Sequence, residues 1–361
     1  MAKEHFHGSD LEKVAAAYGI NKEDIISFSA NVNPLGISEK LKEMLPLYID
    51  SISSYPDREY TSLRNTLSAY TGVYPSHIVV GNGSTELISL FIRVFKPKKS
   101  LIVGPTYSEY EREVTLGGGV SEYFQLSKAL DFALDTDSLK EKLYEDIDLL
   151  ILCNPNNPTS SVVKSEQMTE ILEFAKKRSI NVLVDETYVE FTEELQEITA
   201  IPLCKKYDNL VVIRSTSKFF ASPGLRLGYA VCAGDEILSK VKMHKNPWAV
   251  STLAAKAFLI MLTDTEYIER TKELISSERK RITHILEQSF AYYPYRAYAN
   301  FVLVRIVKEG ITSDQVFDAA MKKGMMIRDC SDFLFLGDRF IRFCFMEPED
   351  NDRLLDVLMN I

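Results

Sequence analysis

Between Ile78 and Arg178 the chain alternates short apolar runs with segments of helical period, and this rhythm restricts the fold more than any other feature. "IVVGN" precedes a helix expected from Ser84, "LIVGP" precedes one after Tyr107, and "DLLILCNPNNP" precedes one running through Glu166 to Arg178. Strand-length aliphatic runs separated by amphipathic helices are the pattern of βαβ units, which build a mostly parallel sheet between helices. In the last of these helices Met168, Ile171, Leu172 and Ala175 fall at i, i+3, i+4 and i+7, so their stripe should lie on the sheet. Three further strand-like runs follow: "NVLVDE", "NLVVIRS" and "GYAVCAG".

With 361 residues, 46% of them hydrophobic, the chain suits two closely joined domains. After about Pro247 the pattern changes to long amphipathic helices, including Glu266 to Ser289, and then to "NFVLVRI" and "FIRFCF" with helical segments beside them. That is the pattern of a smaller α+β domain. The expected division is an N-terminal arm over 1–30 that joins the small domain, a large domain over 31–246, and the small domain over 247–361.

The 42 basic and 51 acidic residues leave a formal charge of -9, and no Lys/Arg block marks a nucleic-acid footprint. An anionic ligand must therefore be held by a local pocket. Cys153, Cys204, Cys232, Cys330 and Cys344 show no C-x-x-C spacing, and most sit in apolar runs, which suits a reducing compartment. The N-terminal "MAKEHFHGSD" lacks an apolar signal core, and no run approaches the about 18 apolar residues of a membrane helix. A cytoplasmic protein without membrane or nucleic-acid partners is expected.

In open α/β sheets ligands bind beyond the carboxyl ends of the strands, so the residues just after each apolar run carry the functional reading. After "IVV" comes "GNGSTEL", where glycines permit close backbone approach, and Ser84 and Thr85 open a helix whose free N–H groups suit a phosphate. An N-cap after a tight turn is the plainer reading of the same residues. After "LLILC" comes "NPNNPTS", in which two X-Pro steps should hold the chain extended, with Asn156 and Asn157 aimed at the strand ends. After "NVLV" comes "DETYVEF", where Asp185 ends a buried strand and must face a cation or several donors; capping of nearby amides is the alternative.

Lys218 lies in the same layer, within "VVIRSTSKFFASPGLRLGYAV", after a β-branched strand and before Phe219 and Phe220. Burial there would lower its pKa and free a nucleophilic amine, whereas a loop lysine would snorkel to water. Arg226 follows in "GLRLGY", where a guanidinium could grip a phosphate. A phosphate grip, an acid for a ring cation, an amide and a phenol for an oxygen, and a buried amine together describe a pyridoxal phosphate site.

Over nearly its whole length the chain resembles the fold type I pyridoxal phosphate enzymes of the class I/II aminotransferase superfamily. The resemblance implies an α/β fold with a mostly parallel seven-stranded sheet between helices and a small α+β domain. It implies that Lys218 carries the cofactor as a Schiff base and later moves the proton, and that Asp185 keeps the ring nitrogen protonated. Asn157 and Tyr188 would bind the ring hydroxyl, and Tyr107 of "PTYSEY" would stack on the ring. The phosphate would fall to the turn at Gly83 with Ser84, Thr85, Ser215, Ser217 and Arg226, joined by Tyr55 of "YPD" from a partner subunit, which implies a homodimer with interfacial sites.

Two branches of the superfamily fit best, threonine-phosphate decarboxylases and histidinol-phosphate aminotransferases; both take a substrate with an amine and a phosphate. "FSANVNPLG", "PTYSEYER", "KFFASPGLRLGY", "PWAVSTLAAKA" and "IRDCSDF" resemble the first branch, and "DETYVEF" resembles the second. By either resemblance Arg328 and Arg342 would meet the substrate's anionic groups and Asn33 would line the same pocket, while each arginine alone could as well serve a salt bridge. His7 stands where the decarboxylases carry a His-Gly-Gly start and would reach the substrate phosphate, although Ser9 replaces the second glycine. Ser160 also replaces a usual glycine after "NPNNPT", and "FLFLGD" replaces a more regular Phe-x-Gly-Leu segment.

Other classes find less support. His5, His7, His77, His244 and His284 show no ligand spacing beyond the first pair, so no metal is expected, and a Cys330 thiolate would be disfavoured beside Asp329. A catalytically silent cofactor-binding regulator would need a separate basic DNA-binding module, for which the chain has no residues to spare before "SANVNPLG".

Overall fold

The computed structural model describes residues 6, 8, 10–144 and 146–361. Its main sheet contains β1 (Ile78–Gly81), β2 (Lys99–Gly104), β3 (Val120–Gln125), β4 (Leu149–Cys153), β5 (Asn181–Asp185), β6 (Leu210–Ser215) and β7 (Gly228–Val231). They lie in the order β1-β7-β6-β5-β4-β2-β3, and only β7 runs against its neighbours. Residues of β4 and β6 are buried throughout, because helices cover both faces of a parallel sheet and leave no polar side.

The sequence rhythm names six of these strands and passes over β3. As an edge strand, β3 has no buried residue, so "VSEYFQ" lacks the apolar run by which the others are recognised. The helices α1 (Gly83–Phe95), α2 (Glu109–Leu116) and α3 (Ser165–Lys177) follow β1, β2 and β4 as expected. Met168, Ile171, Leu172 and Ala175 of α3 are fully buried, which confirms the predicted stripe.

Beyond the main sheet, α4 (Thr265–Glu287) leads into a second sheet of β8 (Tyr292–Pro294), β9 (Phe301–Ile306), β10 (Arg328–Asp329) and β11 (Phe340–Cys344), ordered β10-β11-β9-β8. Ile26 and Ser27 pair in parallel with Met325 and Met326, tying the N-terminal stretch to this later part of the chain. No helix among the described residues is long and apolar enough to cross a membrane.

Two local departures have physical causes. The "NPNNPTS" segment is compact rather than extended: the backbone closes through Asn156 N–H to Ser161 O at 2.8 Å and Ser160 N–H to Asn156 O at 2.7 Å. Ser160 sits at φ 59°, a left-handed conformation that explains why a glycine would suit this place. The serine adds something glycine lacks, since its Oγ accepts from the N–H groups of Tyr298 and Ala299 at 2.9 and 2.8 Å. It thereby joins the loop after β4 to the chain entering β9.

Leu172→Ala removes a fully buried side chain between α3 and the sheet. Denaturant unfolding should show a loss of about 2–5 kcal/mol, with the upper part of that range reached if the cavity does not collapse.

Candidate active site

The carboxyl ends of β1, β2, β4, β5 and β6 and the start of β7 share one edge of the main sheet. Above it opens a cleft of about 500 Å³ whose walls include residues after each of these strands. Ser84, Thr85, Tyr107, Asn157, Asp185, Tyr188, Ser217, Lys218, Arg226, Arg328 and Arg342 all face it. Residues separated by more than 250 positions in sequence are thus brought together by the topology described above, as strand-end sites in such sheets require.

At one end lies an anion cradle. The helix α1 begins directly after β1, and its N-terminus has no side-chain cap among the described residues, which leaves N–H donors for a ligand. Gly83 has φ 80°, and a Cβ there would stand 2.6 Å from Nη2 of Arg226. Glycine is needed both for that backbone angle and for the guanidinium to lie across the helix start. Ser217 faces the cleft while Ser215 stands behind it, the two hydroxyls 2.7 Å apart, so Ser215 acts on the cradle only through Ser217.

In the floor, Asp185 is buried at the end of β5. Its Oδ1 accepts from Thr187 N–H at 2.9 Å and Thr187 Oγ1 at 2.6 Å, and its Oδ2 accepts from the Tyr110 hydroxyl at 2.9 Å. Burial nonetheless raises its pKa above the usual carboxylate value, against the pull of these donors. A cation next to it would restore the charged form. Tyr110 and Thr187 are absent from the sequence reading; the one available signal for Tyr110 is its place three residues after Tyr107 in "PTYSEY", at the start of the helix.

Lys218 lies beyond β6, and its Nζ donates to the Ala30 carbonyl at 2.6 Å. Desolvation first, and then the positive charges of Arg342 and Arg226, bring its pKa down to about 8. Lys218 is half-buried, as its place before Phe219 and Phe220 suggested, and the alternative of a loop lysine snorkelling to solvent is not seen. Tyr188 packs edge-on against Phe301 at 5.0 Å, and burial drives its pKa upward, so it remains a neutral phenol able to donate.

Asn33 requires a correction. Its Nδ2 lies 2.8 Å from Phe219 O, 2.9 Å from the Tyr267 hydroxyl and 2.7 Å from Thr271 Oγ1, and its Oδ1 accepts from Leu35 N–H. The cleft is lined instead by Asn31, because the left-handed backbone at Asn31, φ 55°, turns the chain so that these two asparagines face different ways. Asn33 serves Lys218 indirectly, since its own N–H bonds the Lys218 carbonyl at 3.0 Å. Asn156 likewise holds its loop, through Thr106, Pro105 O and Thr159. Tyr55 does not face this cleft; it is 84% exposed and lines a separate groove with Trp248. His7 lies outside the described residues. The Cys330 thiol is pushed up to about 12, chiefly by burial and in smaller part by Asp329, which rules it out as a ready nucleophile.

Two further arginines line the cleft. Arg342 is buried, donates to Ser29 O at 2.7 Å and to the Asn157 side-chain oxygen, and its Nε has no partner among the described residues. Arg328 is paired with Asp332 at 2.6 Å, the salt bridge that reading it alone had allowed for.

A strand-end cleft with an anion cradle, a buried acid and a lysine of lowered pKa defines a class of α/β enzymes that handle amines through a phosphorylated aldehyde cofactor. The chain belongs to the aminotransferase class I and II family, whose pattern it matches over residues 23–358. It is 38% identical over 92% of its length to a Caldanaerobacter subterraneus protein provisionally described as a threonine-phosphate decarboxylase, covering 89% of that protein. It is 33% identical to the threonine-phosphate decarboxylase of Salmonella typhimurium, over 98% of this chain and 96% of the other. Among solved structures it resembles the histidinol-phosphate aminotransferase of Clostridium acetobutylicum, with TM-score 0.86 and 32% identity over 92% of this chain and 98% of that one. The protein is a pyridoxal-phosphate-dependent enzyme of this family. The site fits that cofactor in its own chemistry: a glycine-shaped cradle for the phosphate, a carboxylate in want of a cation, and a nucleophilic amine.

Gly83→Ala should weaken pyridoxal phosphate binding by about tenfold or more, read by titrating the cofactor-free protein, because the new Cβ strains the backbone and displaces Arg226.

Proposed function

We propose that the protein decarboxylates O-phospho-L-threonine, with Lys218, Asp185 and Tyr188 as its catalytic residues. The observation that carries the reading is the 38% and 33% identity to threonine-phosphate decarboxylases over almost the entire chain. Bound pyridoxal phosphate supplies an electron sink conjugated to the substrate's amino nitrogen. The buried carboxylate of Asp185 keeps the ring nitrogen protonated, and burial strengthens that interaction because little water screens it. Lys218, with its neutral amine, would hold or deliver the proton at the substrate's Cα. Asn157 and Tyr188 orient the ring oxygen, Tyr107 covers the ring face, and Gly83, Ser84, Thr85, Ser217 and Arg226 hold the phosphate, with Ser215 supporting Ser217.

Which bond breaks at Cα would depend on how the substrate is oriented against the bound cofactor. Arg342 and Arg328, on the cleft wall, would grip the substrate's carboxylate and phosphate and so choose that bond. A second reading, transamination of histidinol phosphate, has the support of the 32% identity to the Clostridium enzyme. The same residues would serve both, since each substrate brings an amine and a phosphate, and the way the substrate is held would decide which bond at Cα is broken. His7 would extend the phosphate grip.

A homodimer completes this reading. Tyr55 faces away from its own cleft, and with Leu47, Ile49, Ile52 and Trp248 it forms an exposed apolar strip suited to a second copy, to whose cofactor phosphate it would reach. The five free, buried cysteines suit a reducing cytoplasm. The proposed division into an arm over 1–30, a large domain to 246 and a small domain to 361 accords with the two sheets and with the pairing of Ile26 and Ser27 to the later one.

Cofactor-loaded protein should release carbon dioxide from O-phospho-L-threonine with no keto acid present. Glutamate production from histidinol phosphate and 2-oxoglutarate, without such release, would replace this reading by the second.

The role of Lys218 is checked separately by its titration. Only the neutral amine attacks an aldehyde, so covalent capture of pyridoxal phosphate should accelerate as pH rises and level off above about 8, not near the 10.5 of an ordinary lysine. Lys218→Ala should show no visible band from lysine-linked cofactor at any pH.

A further inference from the structure

The two cleft arginines differ in what they hold. Arg328 and Arg342 are direct cross-strand neighbours in β10 and β11, and both are buried. Arg342 meets neutral acceptors, the Ser29 carbonyl and the Asn157 amide oxygen. Arg328 already carries an anion. Its Nη2 lies 2.7 and 2.6 Å from the two oxygens of Asp332, its Nη1 donates to the Phe6 carbonyl, and its guanidinium stands 5.1 Å from the Phe333 ring centre. The Asp332 side chain, by contrast, is 35% exposed and stands on the cleft wall beside Phe333 and Leu334. The carboxylate is therefore close enough to satisfy Arg328 and near enough to water to leave it.

We infer that Asp332 is a specificity-determining residue, an internal counter-ion on Arg328 that narrows the site's preference for anionic over neutral substrate groups at that arginine. The inference rests on the reading that the cleft takes a phosphorylated amine. A ligand with a neutral group leaves the Arg328–Asp332 pair intact, so the buried cation keeps its partner. A phosphorylated ligand gains the charge-assisted bonds of Arg328 only by displacing the Asp332 carboxylate or by standing against it, and either cancels part of the gain. Without that carboxylate Arg328 would be a buried cation short of a counter-ion, which an anionic ligand alone would relieve. Asp332 thus makes the cleft more tolerant of unphosphorylated amines than two adjacent arginines would otherwise be.

The test compares cofactor-loaded wild-type protein with Asp332→Asn. Each is titrated with O-phosphoethanolamine and with ethanolamine, followed by the visible band of the bound cofactor; neither ligand has a carboxylate, so decarboxylation cannot intrude. The ratio of the ethanolamine Kd to the phosphoethanolamine Kd should rise by about tenfold in the variant, through tighter phosphoethanolamine binding. An unchanged or smaller ratio overturns the inference. Asp332→Ser allows the same measurement if the asparagine variant folds poorly. In an Arg328→Gln background the Asp332→Asn change should leave the ratio unmoved, and a comparable rise there would also overturn it. Wild-type protein that shows no preference for phosphoethanolamine would instead remove the phosphorylated-substrate reading, and this inference with it.

Discussion

The withdrawal of two ionisable groups from water, Asp185 buried and Lys218 half-buried, without each other's help shapes the rest of the cleft. Asp185 ends β5 and Lys218 follows β6, yet the carboxylate is met by Thr187 and Tyr110 and the amine by the Ala30 carbonyl. Each is shifted toward its neutral form, Asp185 upward and Lys218 downward, chiefly by loss of water. A mutual salt bridge would have cancelled both shifts and removed the nucleophile. Keeping them apart leaves an acid that favours a ring cation and an amine that is free to react near neutral pH.

Strand ends under such electrostatic load must be held firmly, and a second buried network lies beside them. Glu186, next to Asp185, accepts from Arg214 at 2.9 Å, from Thr199 Oγ1 at 2.8 Å and from the Ala200 N–H at 2.5 Å. Arg214 in turn precedes Ser215, so the pair joins β5 to β6 one residue from the catalytic edge. A buried pair of this kind contributes little net stability compared with an apolar packing of equal volume, but it has one geometry and penalises any slip of register. Glu190 completes the cluster, its pKa raised by burial against the pull of Arg214, and accepts from Tyr70 at 2.9 Å.

Much of the site was legible because strand-end chemistry lies next to strand patterns. Asp185, Asn157, Ser217 and Lys218 each sit within four residues of the end of a buried strand and needed only the rule about carboxyl edges. The misassigned or unread residues belong to irregular backbone. Asn33 and Asn31 exchange roles through a single left-handed residue, which periodicity cannot reveal. Ser215 and Ser217 alternate in their access to the cleft, and the reading treated them as equal. Tyr110 and Thr187 act on Asp185 from a helix and a turn, and the edge strand β3 escaped because its side chains are not buried.

The sequence by itself determined the class of fold, the identity of the buried acid and amine, and the glycine-rich start of α1. These follow from local pattern, since apolar period selects strand or helix and glycine selects a backbone conformation. The tertiary structure alone decided that Arg328 and Arg342 stand face to face across two strands, that Asp332 occupies one of them, and that Tyr55 points away from its own cleft. Arg328 and Asp332 are only four residues apart, but the strand pairing that sets Arg328 against Arg342 and the cleft walls around them are made between separate chain segments. Which segments meet is selected by how the layers pack, a competition among many charged residues that no local window can resolve.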